Sequence, residues 1–523
     1  MAKNILFIMC DQLRADYLGC YGHPHIKTPV IDALAKEGVR FDNAFCNAPV
    51  CGSSRASFYT GRYVISHGAN YNNFPLRIDE HTIGDYLAPL GVRTALVGKT
   101  HMKPDISTMN RMGIDSGSEL GIHLTQTGFE PFERDDGLHP MSHFDPDLAY
   151  NRYLREQGYQ SDNPWNDFAN ASVDDDGAFH SGWFLRNARR PARVSAEHSE
   201  SAYMTDRAMD FIDEAGDDPW CLHLSYIKPH WPYMAPSPYH DLYGDDDVVP
   251  SNRSDAELNN QNPVVAAFRQ HRESQSFSND HCRHIVIPTY MGLIHQIDDE
   301  LGRLFAQLRQ TGRWDDTLIV LTSDHGDFLG DHWLGEKELF YEESVRIPMI
   351  IRDPTPDADT TRGAVCEQLV EAIDLLPTFI ESLGGSVCAT RLEGRSLMPL
   401  INSTFEMRQW RDAVFSEFDF CLRRARKILD LEPGEARGFM VRTTRYKYVH
   451  YPKHPPQLFD LERDPQELLD LGMDPGYENV RAEMRERLLE WFALRHNRTT
   501  VSNEIVEANT ARAFEQGFVF GTW

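Results

Sequence analysis

Short apolar runs alternate along this chain with segments whose apolar residues recur at helical spacing. The apolar runs, each of the length of one buried strand, are residues 3–9, 92–98, 221–226, 317–322 and 347–351. The segments with helical spacing are 28–36, 82–90, 200–214 and 285–309. Strands that alternate with helices form βαβ units, so the pattern predicts an α/β fold with a large, mostly parallel central sheet flanked by helices.

Two segments interrupt this alternation. Residues 104–195 and 241–279 are polar, rich in Gly, Pro, Asp and Asn, and show little periodicity. Segments of this length without periodicity are typical of functional inserts. We therefore expect the first insert and its neighbouring loops to determine specificity.

The C-terminal part of the chain has a different pattern. Residues 443–462 predict short antiparallel strands, and 477–496 predict an amphipathic helix. We therefore predict a catalytic domain over 1–402, which contains both inserts, and a smaller C-terminal α+β subdomain over 403–523. The apolar end of the chain, FVFGTW, predicts a homo-oligomer contact; packing on its own subunit is the alternative.

Charge and cysteine usage restrict the partners and the compartment. The formal net charge of -27 disfavours nucleic acid and membrane surfaces as partners. An anionic substrate would then require concentrated positive charge inside its pocket. Nine cysteines without paired spacing, and an N-terminal apolar run shorter than that of a signal peptide, predict a cytoplasmic protein. No apolar stretch approaches the ~20 residues of a membrane span.

Polar segments that follow the predicted strands carry the candidate chemistry. They are Asp11-Gln12, CGSSRASFYTGR (51–62), GKTH (98–101) with KPH (228–230), and SDHGDFLGDHWLGEK (323–337). Ligands of open α/β sheets bind beyond the carboxyl ends of the strands, so these side chains are expected to converge. Asp324 and His325, a carboxylate beside an imidazole, suit a divalent metal, with Asp11 as a further ligand. A turn with a helix N-cap is the alternative interpretation of Asp-His-Gly.

Basic side chains near the same strand ends would provide the local positive charge. They are Arg55, Lys99, His101, Lys228, His230 and Lys337. Each alone is typical of a protein surface. Together with a metal they would offset the charge on the non-bridging oxygens of a sulfuryl or phosphoryl centre, and a histidine can protonate the leaving alkoxide.

Cys51 is the least expected of these residues. It begins a predicted helix, whose N-terminus lowers the pKa of a thiol. Its spacing to Arg55, Cys-x3-Arg, does not form the phosphate-binding loop of the thiolate phosphatases. The residues alone give no reason for a thiol nucleophile beside a hard metal ion.

The Cys-x3-Arg segment resembles the sulfatase signature, in which the cysteine is oxidised to formylglycine. GKTHMKP, SDHGDFLGDHWLGEK and YKYVHYPKHPPQLFDLERDPQE are similar to other sulfatase segments, so the resemblance covers most of the chain outside the inserts. It implies the fold of the alkaline phosphatase superfamily. The residue types at two motif positions, Gln12 and His325, are similar to those of the branch that contains bacterial arylsulfatases and phosphonate monoester hydrolases.

The resemblance also implies roles for individual residues. The metal ligands would be Asp11, modified Cys51, Asp324 and His325. Arg55 would position the formylglycine, and the residues in contact with the transferring group would be Lys99, His101, His230 and Lys337. His101 would act as base and His230 as leaving-group acid, with Lys228 as a neighbour. The implied cofactors are one divalent ion (manganese, calcium or zinc) and formylglycine, which requires a formylglycine-generating system as partner.

The implied activity is hydrolysis of a small anionic ester, namely a sulfate monoester and in particular an aryl sulfate. A phosphonate monoester or phosphodiester hydrolase on the same site is the alternative. Ser53 departs from the usual residue of the modification motif. It motivates a hypothesis of a different class, an unconverted and non-catalytic binding protein.

Overall fold

The computed structural model describes residues 1–137, 147–259, 261–402, 410–512, 515–517, 519 and 521. Its strands are β1 Asn4–Cys10, β2 Val39–Phe41, β3 Ala44–Phe45, β4 Arg93–Gly98, β5 Glu130–Arg134, β6 Ala171–Val173, β7 Phe179–Ser181, β8 Trp220–Tyr226, β9 Thr317–Ser323, β10 Arg346–Ile347, β11 Met349–Arg352, β12 Val365–Cys366, β13 Val370–Glu371, β14 Ala413–Asp419, β15 Arg437–Thr443, β16 Tyr446–Tyr451 and β17 His454–Asp460. Its α-helices are α1 Pro29–Glu37, α2 Cys51–Thr60, α3 Val64–His67, α4 Ile83–Leu87, α5 Ile106–Met112, α6 Glu119–Thr125, α7 Ala149–Glu156, α8 Glu200–Ala215, α9 Pro263–Phe268, α10 Arg272–Phe277, α11 Asp280–Gln310, α12 Glu342–Val345, α13 Leu375–Ser382, α14 Met398–Ile401, α15 Arg424–Ile428, α16 Glu478–Ala493 and α17 Asn503–Asn509.

The large sheet has the strand order β12-β2-β11-β9-β1-β8-β4-β5. All neighbouring strands in it are parallel except β11, which is antiparallel to both β2 and β9. This confirms the predicted mostly parallel sheet. The apolar run 347–351 is not one strand, because Pro348 has no amide hydrogen for a ladder and separates β10 from β11. β10 joins β3 and β13 in a small separate sheet.

The two faces of the central sheet are covered by different helices. Every residue of β1 is buried. Ile5, Phe7 and Met9 belong to the apolar core on one face, which includes residues of α2, α4 and α13. Leu6 and Ile8 belong to the core on the other face, with residues of α1, α8 and α11. Because β1 is buried on both faces, its sequence is a nearly continuous run of apolar residues.

The first insert contains regular structure that its sequence did not predict. It includes α5, α6, α7 and the β6–β7 hairpin, and its β5 extends the central sheet beside β4. β5 has the sequence EPFER and is partly exposed at the edge of the sheet, so it lacks the apolar pattern of a buried strand. The second insert contains α9 and α10.

The C-terminal strands form an antiparallel sheet in the order β14-β15-β16-β17. Helix α16 packs Met484, Leu488 and Trp491 into the core of this sheet, as the amphipathic pattern predicted. The predicted domain boundary and most of the apolar tail lie outside the described residues, so the homo-oligomer contact stays a prediction. Across the described part of the chain, no helix has the length and apolarity that crossing a bilayer requires.

Candidate active site

The carboxyl ends of four adjacent parallel strands, β9, β1, β8 and β4, bring the predicted site residues together. Asp324 directly follows β9, Asp11 directly follows β1 and Lys99 directly follows β4. His230 lies a few residues beyond β8. The convergence expected from the sheet topology is confirmed.

Cys51 is the first residue of α2, and all ten residues of this helix are buried. Its Sγ atom lies 3.1 Å from Nε2 of His325 and 3.8 Å from Oδ1 of Asp11. The amide of Gly52 donates to Oδ1 of Asn72 at 2.7 Å, which fixes the start of the helix. The thiol therefore faces the two strand ends that carry the acidic residues.

The predicted metal ligands form one buried cluster. Asp11, Cys51, Asp324 and His325 each offer one ligand atom, and these atoms all lie within 4.8 Å of one another. Nδ1 of His325 lies 2.9 Å from the carbonyl oxygen of Gly326, which accepts its proton, so the other ring nitrogen, Nε2, faces the cluster. Metal-binding histidines are oriented by such bonds, so the residues fit a divalent ion. The imidazole favours manganese or zinc over calcium, which prefers oxygen ligands.

The charges inside the cluster also favour a cation. Although burial disfavours the imidazolium form, Asp324 and Cys51 raise the pKa of His325 to about 9. Burial also opposes ionisation of Asp11, but the charges of Lys99 and Arg55 hold the pKa of this carboxyl well below its usual range. The first shift reflects the negative charge around His325, and the second keeps the Asp11 carboxylate ionised, so a bound cation would find negative charge in the cluster.

Arg55 connects the acidic residues to the sheet from one turn further along α2. Its Nε donates to Oδ2 of Asp324 at 2.8 Å and its Nη2 to Oδ2 of Asp11 at 3.2 Å. Nη1 donates at 2.7 Å both to the carbonyl oxygen of Lys99 and to Oγ of Ser225. The guanidinium is fully buried, so it orients both carboxylates without contact with solvent.

Lys337, His230 and Gln12 form a chain of hydrogen bonds above the cluster. Lys337 Nζ donates to Oε1 of Gln12 at 2.9 Å and to Nε2 of His230 at 3.2 Å. Nδ1 of His230 lies 2.7 Å from the carbonyl oxygen of Trp231, so the proton of the imidazole ring is on Nδ1. Burial and the Lys337 charge lower the pKa of His230 to about 3, which keeps the imidazole neutral.

Asp327 and Tyr233 support this chain and were missed by the sequence analysis. Gln12 Nε2 donates to Oδ2 of Asp327, and the Tyr233 hydroxyl donates to the same oxygen at 2.7 Å. Both residues lie inside or next to the quoted segments, SDHGDFLGDHWLGEK and KPH. Their position inside or next to these segments was therefore the only sequence feature quoted above that could have indicated these two residues.

Lys99 and His101 follow β4 on the other side of the cluster. Lys99 Nζ forms an ion pair with Oδ2 of Asp11. His101 has a left-handed backbone with φ 56°, and its amide and that of Thr100 each donate to Oδ1 of Asp136 at 2.8 Å. Burial and Lys99 lower the pKa of His101 to about 3. Its buried Nδ1 has no partner among the residues that the structure describes.

Lys228 does not reach the cluster. Its Nζ donates to the carbonyl oxygen of Pro232 at 2.7 Å and to Oδ1 of Asn170 at 3.2 Å. These bonds close the loop that carries His230 and Trp231. Lys228 is thus a support for that loop.

The cluster opens into a cavity of about 420 Å³. The first insert contributes Trp165 and Trp183 to its wall. The C-terminal part of the chain contributes Arg423, whose Nε lies 2.6 Å from Oε2 of Glu338. Tyr71 donates to the other oxygen of Glu338 at 2.7 Å.

Comparison with known families gives two matches. Residues 3–385 match the Sulfatase family, and residues 330–493 match the C-terminal region of N-sulphoglucosamine sulphohydrolase.

Individual relatives are similar over nearly their whole lengths. The multifunctional alkaline phosphatase superfamily protein PehA of Trinickia caryophylli is 33% identical over 95% of this chain and 96% of its own. An arylsulfatase of Clostridium perfringens is 27% identical over 97% of this chain and 98% of its own. The solved phosphonate monoester hydrolase of Silicibacter pomeroyi superposes with a TM-score of 0.82 at 27% identity, and covers 96% of this chain and 98% of that structure.

Proposed function

This chain belongs to the sulfatase family and has the alkaline phosphatase-like fold, and from that membership we propose that it hydrolyses sulfate monoesters, with aryl sulfates as the substrate class. The observation that carries the proposal is the position of Lys99 and Lys337. Both ammonium groups lie beside the buried cluster of Asp11, Cys51, Asp324 and His325 and in the wall of one cavity.

Two groups that the family implies would complete this site. A divalent metal bound by the cluster would supply a Lewis acid for the charge that develops on the transferring group. Formylglycine derived from Cys51 would supply, as its hydrate, the oxygen nucleophile. The position of Cys51 at the start of α2, beside both acidic strand ends, supports this assignment.

The residues of this chain bind and orient the substrate around that nucleophile. Arg55 fixes the two carboxylates. Lys99 and Lys337 bind the non-bridging oxygens of the sulfuryl group and concentrate positive charge in a protein whose net charge is -27. The neutral ring of His101 serves as the base that removes a hydroxyl proton.

The leaving group receives its proton from the hydrogen-bonded pair of Lys337 and His230. In the resting site Lys337 Nζ carries the proton of the hydrogen bond that Nε2 of His230 accepts. We propose that His230 delivers this proton to the ester oxygen, because its ring lies in the wall of the cavity between Lys337 and Trp231. The aromatic walls formed by Trp183 and Trp231 suit an aryl leaving group.

Gln12 favours a second candidate on the same site, hydrolysis of phosphonate monoesters or phosphodiesters. The side chain of Gln12 is a neutral amide that bonds Lys337 and Asp327, so it adds no charge to the cluster. The similarity to the Silicibacter pomeroyi phosphonate monoester hydrolase supports this candidate too. Both reactions displace a leaving group at a tetrahedral sulfur or phosphorus centre, and the same cations would offset the charge on its non-bridging oxygens.

Matched esters distinguish the two activities. The protein would be produced with a formylglycine-generating system, loaded with Mn²⁺, and assayed on 4-nitrophenyl sulfate and on the 4-nitrophenyl ester of phenylphosphonate. We expect the higher kcat/KM for the sulfate, with Cys51→Ala inactive on both esters. Turnover of the phosphonate ester by a protein inert on the sulfate would replace the first proposal by the second. An unconverted Cys51 and no turnover of either ester would favour a non-catalytic binding protein.

A further inference from the structure

A second cavity, of about 550 Å³, lies directly beside the active-site cavity. We call it the outer chamber; it is formed by residues 182–186, 231–233 and 272–285 together with Glu336. The wall residues that it shares with the active-site cavity are Trp183, Trp231, Pro232, Glu273 and Glu336. A substrate group that enters the active site therefore has room to continue into the outer chamber.

The wall of the outer chamber contains several aromatic side chains. Trp183 and Trp231 meet edge to face with ring centroids 5.6 Å apart, at the passage between the two cavities. Tyr233 and Phe277 form a second edge-to-face pair at 6.4 Å. Phe184 completes the wall and is 53% exposed, although large aromatic side chains gain most from burial. These rings offer apolar surface to a ligand.

Three polar groups of this wall are engaged with other parts of the protein. Glu273 is paired with Arg423, and the Tyr233 hydroxyl donates to Asp327. The guanidinium of Arg186 lies over the ring of Phe184, 4.6 Å from its centroid. Groups committed in this way cannot be redirected to sugar hydroxyls or to a second anion without loss of their present contacts. The chamber therefore favours an apolar occupant.

We propose that the outer chamber binds the apolar body of the leaving group, so that the enzyme prefers esters of extended aromatic alcohols with two or more rings. This inference rests on the proposed function, because the ester must reach the cations of the inner cavity. The first ring of the alcohol would lie against Trp183 and Trp231, and the next ring would enter the chamber. A volume of about 550 Å³ lies within the range of sites for drug-sized ligands.

Two sulfate esters that differ by one ring test the proposal. Phenyl sulfate and 4-phenylphenyl sulfate have leaving groups of similar acidity, and only the second is long enough to reach the outer chamber. Burial of the additional ring is expected to raise kcat/KM roughly tenfold to a hundredfold. A preference below about twofold in the wild-type protein overturns the proposal.

Two substitutions change the outer chamber in opposite ways. Phe184→Ala removes wall surface and Ser276→Trp fills the space, and neither residue borders the active-site cavity. Both are expected to reduce the preference for 4-phenylphenyl sulfate at least fivefold while phenyl sulfate is hydrolysed as before. Phe179→Ala, at an equally exposed position of the same insert outside the chamber, is the matched control. An unchanged preference in both chamber variants overturns the proposal.

Binding of the product alcohol separates this proposal from the proposed function. Calorimetry with 4-phenylphenol and the metal-loaded protein requires no turnover. Binding that Ser276→Trp weakens, in a protein that hydrolyses neither ester, supports the chamber and overturns the proposed function alone. Hydrolysis of phenyl sulfate without any such binding overturns the chamber alone.

Discussion

Substitution of Arg55 by methionine keeps the length of the side chain and removes its charge and its donors. In the native protein this fully buried guanidinium bonds both Asp11 and Asp324, at 3.2 and 2.8 Å, as well as two groups of the sheet. Removal of one partner from a buried ion pair costs about 3–5 kcal/mol, because the remaining charge stays buried without compensation. The metal-free variant should lose at least this much of its free energy of unfolding.

Metal binding should restore part of the lost stability. A cation held by Asp11, Asp324 and His325 offsets the same carboxylate charges, so the loss in Mn²⁺ should be smaller than the loss in a chelator. Urea unfolding in the two conditions measures both values. The control is Arg487→Met on the exposed side of α16, whose pairs with Asp412 and Glu483 are largely exposed and should contribute about 0–1 kcal/mol. An Arg55→Met loss equal to that of the control, or equal in both conditions, would refute the reasoning.

Three further predictions concern the leaving group, pH and the metal. His230→Gln should lower kcat/KM about 10²–10⁴-fold for phenyl sulfate but far less for 4-nitrophenyl sulfate, whose leaving group needs no acid; equal losses would contradict the acid role. Burial raises the pKa of Glu417 to about 7, above its unfolded value, so its contribution to stability is complete below pH 4 and is lost as the pH rises through 7. The unfolding free energy of Glu417→Gln should therefore fall less between pH 4 and 7 than that of the native protein, by up to about 1.4 kcal/mol per unit of pKa difference. Urea titrations at several pH values measure this, and parallel curves for the two proteins would exclude Glu417 as the cause. Chelator treatment should abolish ester hydrolysis, and Mn²⁺ or Zn²⁺ should restore it better than Ca²⁺; better restoration by Ca²⁺ would contradict the role assigned to the imidazole of His325.

The strands that carry the site could be predicted because they are buried on both faces. Such strands produce continuous apolar runs, and parallel topology then places the residues that follow them at one edge. Asp11, Lys99 and Asp324 were located by this rule. β5 could not be found in the same way, because a short edge strand has too few buried residues to produce a pattern.

The parts of the site that could not be predicted depend on contacts between distant parts of the chain. Lys228 resembles a site residue in the sequence, but the loop directs its ammonium group to Pro232 and Asn170. Arg423 lies far from every quoted motif and reaches the cavity through Glu338. Periodicity and spacing report local structure, so they carry no information on such tertiary contacts.

The proposed conversion of Cys51 to formylglycine would require the oxidising enzyme to reach this residue before the chain folds. In the folded protein Cys51 is 1% exposed and lies within a helix whose residues are all buried. Its contact His325 is 274 residues further along the chain, so at synthesis rates of about 5–20 residues per second the segment waits roughly 14–55 s for this partner to be made. The length of chain between Cys51 and His325 thus sets a period during translation in which the segment is accessible. On the proposed function, faster synthesis or earlier folding would shorten this period and lower the fraction of chains that carry formylglycine.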